Sequence, residues 1–451
     1  MGLPGMMKII DNIIPLNAKR KELDKMKKYY FLFDGNIILY SAKEVLIEFT
    51  PHTVANYLET LLEEYYNPAK IIVFDGMPPL QKIPEQLRRR KRKYNNLSDM
   101  NIQLSFDLAN QAFITFLDEI EVILTNLGWI VYNYNIDGEG EQKIASIMRI
   151  YLQEDISRRF ICWTKDWDML IILINLNIGS NKVYLKMFMN TMPYFLDINK
   201  CIDVISGITT IVNFSAIILL FGCDFYPGIN NLPLTIQSVK RLLDSKIFAY
   251  ESNGFILINK KRFNHAILML KDYCFTTNED NSSASSISST SDVNSLLLIG
   301  YSNVTPTSLE HIQNSSEYRG CNNNCLTCQP MNYCSKRTMV KSANEYLTMY
   351  LWTLNYFVGK LDKIKVKNSK TTYTSYISPV IDAIIKADNI TYEIISQWHI
   401  DIVKIKDYNK LIEDGLLLNY KIIPACNNKN TFGEITILTK ELCYLSALTK
   451  D

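Results

Sequence analysis

The first 275 residues alternate between two periods of apolar and polar positions. Short, mostly apolar runs predict buried strands at Lys28–Asp34, Ala69–Asp75, Trp129–Tyr134 and Phe160–Asp168. Helical periodicity predicts helices at Ala55–Tyr66, Phe106–Leu127 and, after a glycine-containing turn, within Asp137–Leu152. Strands that alternate with helices predict an α/β fold class, with a mostly parallel central sheet and helices on both faces.

Acidic residues stand where three of the predicted strands end. Asp34 and Asp75 each close a strand, and the pair Asp166 and Asp168 follows a third. Ligands of such sheets bind beyond the carboxyl ends of the strands. We therefore expect these side chains to converge.

Two glutamates and one further aspartate extend the acidic set to seven. Glu139 and Glu141 alternate with glycines that disfavour a helix, so on extended backbone both can point the same way. The seventh acid is Asp224. Converging carboxylates repel one another unless cations neutralise them, and hard oxygen ligands select Mg²⁺ or Mn²⁺. Two such ions, about 4 Å apart, can activate water against a phosphodiester.

A basic segment follows the second acidic strand end. Lys82–Lys93 carries seven basic residues and one glutamate. Such a segment is suited to binding an anion, and a phosphate beside a metal site is the natural target. A solvated helix face or a localisation signal is the alternative interpretation.

Composition narrows the class of protein. The chain has 451 residues, 48 Lys+Arg against 46 Asp+Glu, and 47% hydrophobic residues, which is typical of a globular protein of two or three domains. A formal net charge of +2 argues against a uniformly basic nucleic-acid binder. We predict a catalytic domain over 1–275, a Ser-rich insert with a cysteine cluster over 276–344, and a second block over 345–451.

The motifs resemble the 5′-nuclease superfamily, which includes flap endonucleases, and within it the Xrn-type 5′-to-3′ exoribonucleases. The matching segments are GEGEQKI (Gly138–Ile144), DGxxP followed by KxxxQxxRR (Asp75–Arg90), GCDFYP (Gly222–Pro227), and YLxxxxWxLxYF (Tyr346–Phe357) with Tyr373, Tyr376 and Pro379 after it. The chain is much shorter than cellular Xrn proteins, so we interpret it as a reduced version, which is compatible with a viral source.

The resemblance implies a function and a set of site residues. It implies an Mg²⁺-dependent 5′-to-3′ exoribonuclease that degrades 5′-monophosphorylated, decapped RNA by two-metal hydrolysis. The first ion would be held by Asp34, Asp75, Glu139 and Glu141, and the second by Asp166, Asp168 and Asp224. The 5′-phosphate would be held by Lys82, Gln86, Arg89 and Arg90. Lys82 would also stabilise developing negative charge, and Tyr40 would stack on the first base.

Other functions stay open at this point. Tyr40 stands where the Xrn family has a histidine and flap endonucleases have a tyrosine, which favours a flap-endonuclease-like 5′ DNA nuclease of replication, recombination or repair. DNA therefore remains a second substrate beside single-stranded RNA, and protein partners are unknown. An inactive scaffold descended from a nuclease, and a two-carboxylate glycosidase, explain fewer of these residues.

Four clustered cysteines form a separate candidate site. Cys321, Cys325, Cys328 and Cys334 have spacing that can hold a structural Zn²⁺, with free or redox-active thiols as the alternative. Ten cysteines without a secretory signal argue against a disulfide framework. We expect no membrane span and a cytoplasmic location, in the host cytoplasm for a viral protein, while a nuclear one stays open.

Overall fold

The computed structural model describes residues 9, 12–15, 18–83, 86, 108, 110–155, 157–176, 178–179, 181–189, 192–229, 235–282, 336–361, 381–388 and 390–397. Within them the chain divides into two compact units, one over Ile13–Gly207 and one over Ile208–Ile400. The predicted division at 275 and 344 stays a prediction.

The first unit is built on a seven-stranded sheet. Its strands are β1 (Lys19–Arg20), β2 (Tyr30–Asp34), β3 (Ala69–Val73), β4 (Ile130–Tyr132), β5 (Arg159–Trp163), β6 (Lys182–Met189) and β7 (Met192–Asp197). Their order across the sheet is β1-β7-β6-β5-β2-β3-β4. The five strands from β6 to β4 are parallel, and β7 and β1 join antiparallel at one edge. The predicted mostly parallel α/β sheet is confirmed.

Helices connect the parallel strands. They are α1 (Gly35–Val45), α2 (Pro51–Thr60), α3 (Gln111–Asn126), α4 (Gly140–Glu154) and α5 (Asp168–Ile174), and α6 (Ile198–Ile208) follows the last strand. From β2 the chain moves one way to β3 and β4 and the other way to β5 and β6. Right-handed crossovers in both directions place helices on both faces. The reversal of strand order between β2 and β5 makes their carboxyl ends the expected ligand site.

Aromatic side chains of β2 and β5 pack in the core of the first unit. Phe31 and Phe33 of β2 are fully buried, and Phe33 stacks on Trp163 of β5 with ring centroids 4.9 Å apart. The sequence pattern began β2 two residues too early, and it ran two residues past the end of β3 and five past the end of β5, because the residues after the last ladder bond of β3 and β5 leave the sheet. The acidic residues therefore lie in the turns just beyond β3 and β5 and at the last position of β2.

The second unit is mainly helical. It contains α7 (Ile211–Leu219), the short hairpin of β8 (Gly222–Cys223) and β9 (Tyr226–Pro227), α8 (Ile236–Asp244), the hairpin of β10 (Ala249–Ser252) and β11 (Phe255–Ile258), α9 (Lys260–Ser282), α10 (Lys336–Val358), α11 (Ile381–Lys386) and α12 (Tyr392–Ile395). Because α9 runs to Ser282, the first seven residues of the Ser-rich segment, 276–282, are helical.

Helix α10 forms the core of this second unit. Tyr346, Tyr350 and Trp352 on it are at most 1% exposed. The aromatic stretch Tyr346–Phe357 therefore packs in the interior of this unit. In the described part of the chain no single helix is long and apolar enough to span a bilayer, and only the bent pair α6 and α7 passes that test of length and composition together.

Candidate metal centre

Six of the seven predicted acids lie at the carboxyl edge of the sheet in the first unit. Asp34 ends β2, Asp75 follows β3, Glu139 and Glu141 flank the start of α4, and Asp166 and Asp168 follow β5. Four of them, Asp34, Glu139, Asp166 and Asp168, are at most 8% exposed. The convergence expected from the sequence is thus present in this unit.

Three carboxylates approach one another closely enough to share one cation. Glu141, Asp166 and Asp168 each place an oxygen within 4.8 Å of the other two, and all three groups are buried. An all-carboxylate set of this size suits Mg²⁺ or Mn²⁺ rather than a softer metal. The sequence prediction placed Glu141 with Asp34 and Asp75, whereas the structure groups it with Asp166 and Asp168, because α4 begins at Gly140 and turns Glu141 into its first turn.

Burial and mutual repulsion change the acidity of this cluster. Burial raises the pKa of Asp34 to about 7, and repulsion from Asp75 adds to the effect. Burial likewise raises the pKa of Glu141 well above its ordinary value, with a further contribution from Glu139. Both shifts have the sign expected of carboxylates that need a cation to stay ionised together.

Each strand-end aspartate accepts hydrogen bonds on both of its oxygens. Ile37 N donates to Asp34 Oδ1 at 3.2 Å, and Thr164 Oγ1 donates to Asp34 Oδ2 at 3.0 Å. Gly140 N and Asn36 Nδ2 donate to the two oxygens of Asp75, each at 2.6 Å.

Close backbone approach makes this arrangement possible. A side chain at Gly140 would bring its Cβ within 3.2 Å of Asp75 Oδ1. A Cβ at Gly76 would collide with the Ile136 carbonyl, and without one Gly76 N donates to Gly138 O at 2.8 Å. The glycines therefore bring the turn after β3 against the turn before α4.

The predicted phosphate-binding residues are only partly within the described chain. Lys82 forms a buried ion pair with Glu139, so its ammonium group lies beside the acidic cluster. Gln86 is half-buried, and its Oε1 has no hydrogen-bond partner among the described residues. Arg89 and Arg90 lie outside the described residues. Tyr40 lies on α1, six residues after Asp34, and is 48% exposed.

The remaining predicted site residues belong to the second unit or lie outside the described residues. Asp224 lies in the second unit, in the turn between β8 and β9, and is half-buried. Its role as a ligand of a second ion stays a prediction. The four cysteines proposed for Zn²⁺, with Tyr373, Tyr376 and Pro379, lie outside the described residues.

Three side chains of this site were missed by the sequence analysis. Thr164 and Asn36 hold the aspartates, and buried Lys143 donates to the carbonyls of Phe74 at 2.8 Å and Asn133 at 3.2 Å. A signal existed in two cases, because Asn36 stands two residues after Asp34 and Thr164 two before Asp166. A polar residue this close to a strand-end acid is a candidate hydrogen-bond donor to an acid of this edge.

Comparisons with known proteins add little to this geometry. No protein-family model matches the chain, and no curated protein matches its sequence. Among solved structures, the catalytic core of Rad2 in complex with DNA substrate is similar, at 14% identity over 69% of this chain and 84% of that one, with a TM-score of 0.38. A bacteriophage T5 flap endonuclease in a pseudo-enzyme-product complex with DNA and metal ions is similar at 12% identity over 48% and 74% of the two chains, with a TM-score of 0.34.

Proposed function

We propose that this chain is an Mg²⁺- or Mn²⁺-dependent phosphodiester hydrolase of nucleic acid, and more narrowly a 5′-to-3′ exoribonuclease that degrades 5′-monophosphorylated RNA. The observation that carries the proposal is the buried group of Glu141, Asp166 and Asp168, whose oxygens lie within 4.8 Å of one another at the carboxyl edge of the sheet. A fold rarely buries three carboxylates together unless a cation joins them.

The donor set fits the chemistry that the proposal requires. When bound, divalent cations lower the pKa of a water and stabilise the leaving oxygen of a phosphodiester. Glu141, Asp166 and Asp168 would hold one ion. Asp34 and Asp75 would contribute further oxygens or hold waters, because their hydrogen bonds leave lone pairs free on each oxygen.

The 5′ end would be recognised by the basic segment. Lys82 already lies beside the cluster, paired with Glu139. Gln86, Arg89 and Arg90 would complete a clamp for a monophosphate, and a cap or a triphosphate would be too large for it. Tyr40, half-exposed on α1, would stack on the first base.

A flap-endonuclease-like 5′ DNA nuclease is the second candidate. The observation that favours it is Tyr40 itself, which occupies the position where the resemblance to flap endonucleases predicts a tyrosine. An aromatic ring stacks equally well on a base of RNA or DNA. The two candidates therefore differ in substrate rather than in the chemistry at the acids.

One experiment tests both candidates. RNA and DNA of one sequence, each with a 5′-monophosphate or a 5′-hydroxyl, together with capped RNA, are incubated with the full chain in Mg²⁺ and in EDTA. We expect Mg²⁺-dependent degradation that is fastest for 5′-monophosphate RNA. Faster degradation of the DNA would favour the second candidate, and no cleavage of any substrate would overturn the nuclease proposal.

A variant of the basic segment tests the phosphate clamp in the same assay. Arg89→Ala with Arg90→Ala should abolish the preference for 5′-phosphate over 5′-hydroxyl while leaving slow cleavage of both, since the acids are untouched. The matched control is Arg262→Ala, which removes an exposed arginine of α9. An unchanged preference would remove the clamp from the proposal.

A further inference from the structure

Each of the two strand-end aspartates is held in the same way. One oxygen accepts from a backbone N–H in the first turn of a helix: Ile37 N of α1 for Asp34, and Gly140 N of α4 for Asp75. The other oxygen accepts from an uncharged side chain, Thr164 for Asp34 and Asn36 for Asp75. The helix N-termini favour negative charge at these points.

The Thr164 hydroxyl links two strand ends that are 130 residues apart in sequence. Its oxygen accepts from Asp166 N at 3.0 Å, so its single proton is directed to Asp34 Oδ2. Asp166 Oδ1 in turn accepts from Asp168 N at 3.1 Å. The Thr164 hydroxyl thus joins the Asp34 carboxylate to the backbone amide of Asp166, whose own carboxylate holds the backbone amide of Asp168, and Thr164 is completely buried.

Asn36, two residues after Asp34 in the first turn of α1, links the end of β2 to Asp75 in the turn after β3. Its Nδ2 donates to Asp75 Oδ2, while its Oδ1 is buried without a hydrogen-bond partner among the described residues. A buried amide oxygen without a partner is costly. The hydrogen bond to Asp75 therefore sets the orientation of the Asn36 side chain, although this orientation leaves Oδ1 without a partner among the described residues.

We propose that Thr164 and Asn36 are positioning residues, which fix the carboxylates of Asp34 and Asp75 so that the acids at this edge present a preformed cation site. Without these donors, carboxylates that repel one another would rotate apart, and a cation would have to draw them together again. This inference rests on the proposed metal-dependent function, because it concerns the same site. It assigns neither residue a contact with substrate or cation.

The test measures Mn²⁺ affinity directly, by electron paramagnetic resonance of free Mn²⁺, in the full chain without substrate. Thr164→Val and Asn36→Leu keep the shape of each side chain and remove the donor. Both should weaken Mn²⁺ binding about 10- to 100-fold. Thr164→Ser, which keeps the hydroxyl, should restore affinity to within about threefold of the original.

Two controls separate positioning from a general structural role. Thr60→Val and Asn199→Leu remove exposed side-chain hydrogen bonds to the carbonyls of Tyr57 and Gly179, and should leave Mn²⁺ affinity unchanged. Thermal unfolding without metal is recorded for every variant. Should Thr164→Val fail to fold, the half-buried Asn36 supplies the decisive comparison.

The outcomes distinguish this inference from the proposed function. Unchanged Mn²⁺ affinity in folded Thr164→Val and Asn36→Leu would overturn the positioning role even where the chain cleaves RNA. Weakened binding in a chain that cleaves no nucleic acid would support the positioning role and overturn the nuclease. A chain that binds no Mn²⁺ at millimolar concentration would overturn both.

Discussion

The two units bury polar groups of different kinds. The first unit buries carboxylates that repel one another, and burial, together with repulsion from Asp75, raises the pKa of Asp34 to about 7. Among the described residues of the second unit, the most buried polar groups are neutral, and no aspartate or glutamate is among them. The neutral buried groups of the second unit are expected to stabilise the fold, whereas the clustered carboxylates of the first unit are expected to destabilise it.

Two asparagines show how the second unit satisfies its buried groups. Asn213 Oδ1 accepts from Phe248 N and Ala249 N, both at 3.0 Å. Asn355 Oδ1 accepts from Ile256 N at 2.8 Å, and its Nδ2 donates to Ile256 O at 3.0 Å. Both amides therefore replace missing ladder partners at a hairpin, which is a structural role. The clustered carboxylates of the first unit replace no ladder partner at a hairpin and repel one another, and this is why we assign them to chemistry.

The largest expected effect comes from removing one charge at the acidic cluster. Asp166→Asn or Asp168→Asn keeps the shape of the side chain but weakens it as a ligand, so cleavage should slow by at least about 100-fold. The free energy of unfolding should stay the same or rise, because a repelled buried charge is gone. Rates on 5′-monophosphate RNA and thermal unfolding measure the two effects.

An exposed acid supplies the control for that prediction. Asp203→Asn, on α6 of the same unit, should change neither rate nor stability appreciably. Activity of Asp166→Asn above a tenth of the original would contradict the role of this cluster. A large loss of stability in that variant would contradict the contrast between the two units.

The second prediction removes one of the buried neutral amides of the second unit. Asn355→Leu leaves Ile256 N and O buried without partners, so the free energy of unfolding should fall by about 3 kcal/mol. Mn²⁺ affinity of the folded variant should not change. Denaturant unfolding and Mn²⁺ titration measure this, with exposed Asn126 of α3 as the site of a matched Asn→Leu control. A stable Asn355→Leu variant would show that neutral buried amides there are not structural.

The third prediction concerns a half-buried lysine of the first unit that lies outside the acidic cluster. Lys186 of β6 places its Nζ 3.1 Å from the ring centroid of Trp163 and 5.6 Å from that of Phe195. Burial lowers the pKa of Lys186 from 10.5 to about 7. The unfolded chain thus holds this proton more tightly between these pH values, and stability rises with pH across that window.

Replacing Lys186 should therefore stabilise the protein in a pH-dependent way. Lys186→Met should raise the free energy of unfolding by about 2 kcal/mol at pH 6.5, after allowance for the lost attraction to the rings. The gain should shrink as the pH rises towards 10.5. Denaturant unfolding of both proteins at pH 6.5 and 9 measures the difference. An equal gain in the free energy of unfolding at both pH values would contradict the lowered pKa of Lys186 as its cause. A loss of cleavage in Lys186→Met would show that Lys186 contributes to the proposed metal site.

The sequence predicted the local features of this protein and missed the distant pairings. Strands ending in acids were predictable because burial, alternation and the final aspartate lie within seven residues, as in Lys28–Asp34. The strands at 182–197 were not predicted, although β6 and β7 pair in the sheet between β5 and the edge strand β1. Element type was therefore predictable where a short window carries the whole pattern.

The site itself shows the same limit. The bond from Thr164 to Asp34 and the ion pair of Lys82 with Glu139 join residues 130 and 57 positions apart, and no local pattern encodes them. The grouping of Glu141 with Asp166 and Asp168 depends on the direction in which α4 leaves the sheet. Residue types thus predicted a metal site, and only the fold shows which carboxylates share it.

The central claim is that Glu141, Asp166 and Asp168 hold one divalent cation. Crystals of the full chain soaked in Mn²⁺ test it directly through anomalous scattering, which locates the ion without reference to activity. We expect an anomalous peak within coordination distance of all three carboxylates. The same peak should be absent from crystals of Asp166→Ala that are soaked in the same way. A soaked crystal with no peak at this group, or with Mn²⁺ bound only elsewhere, would contradict it.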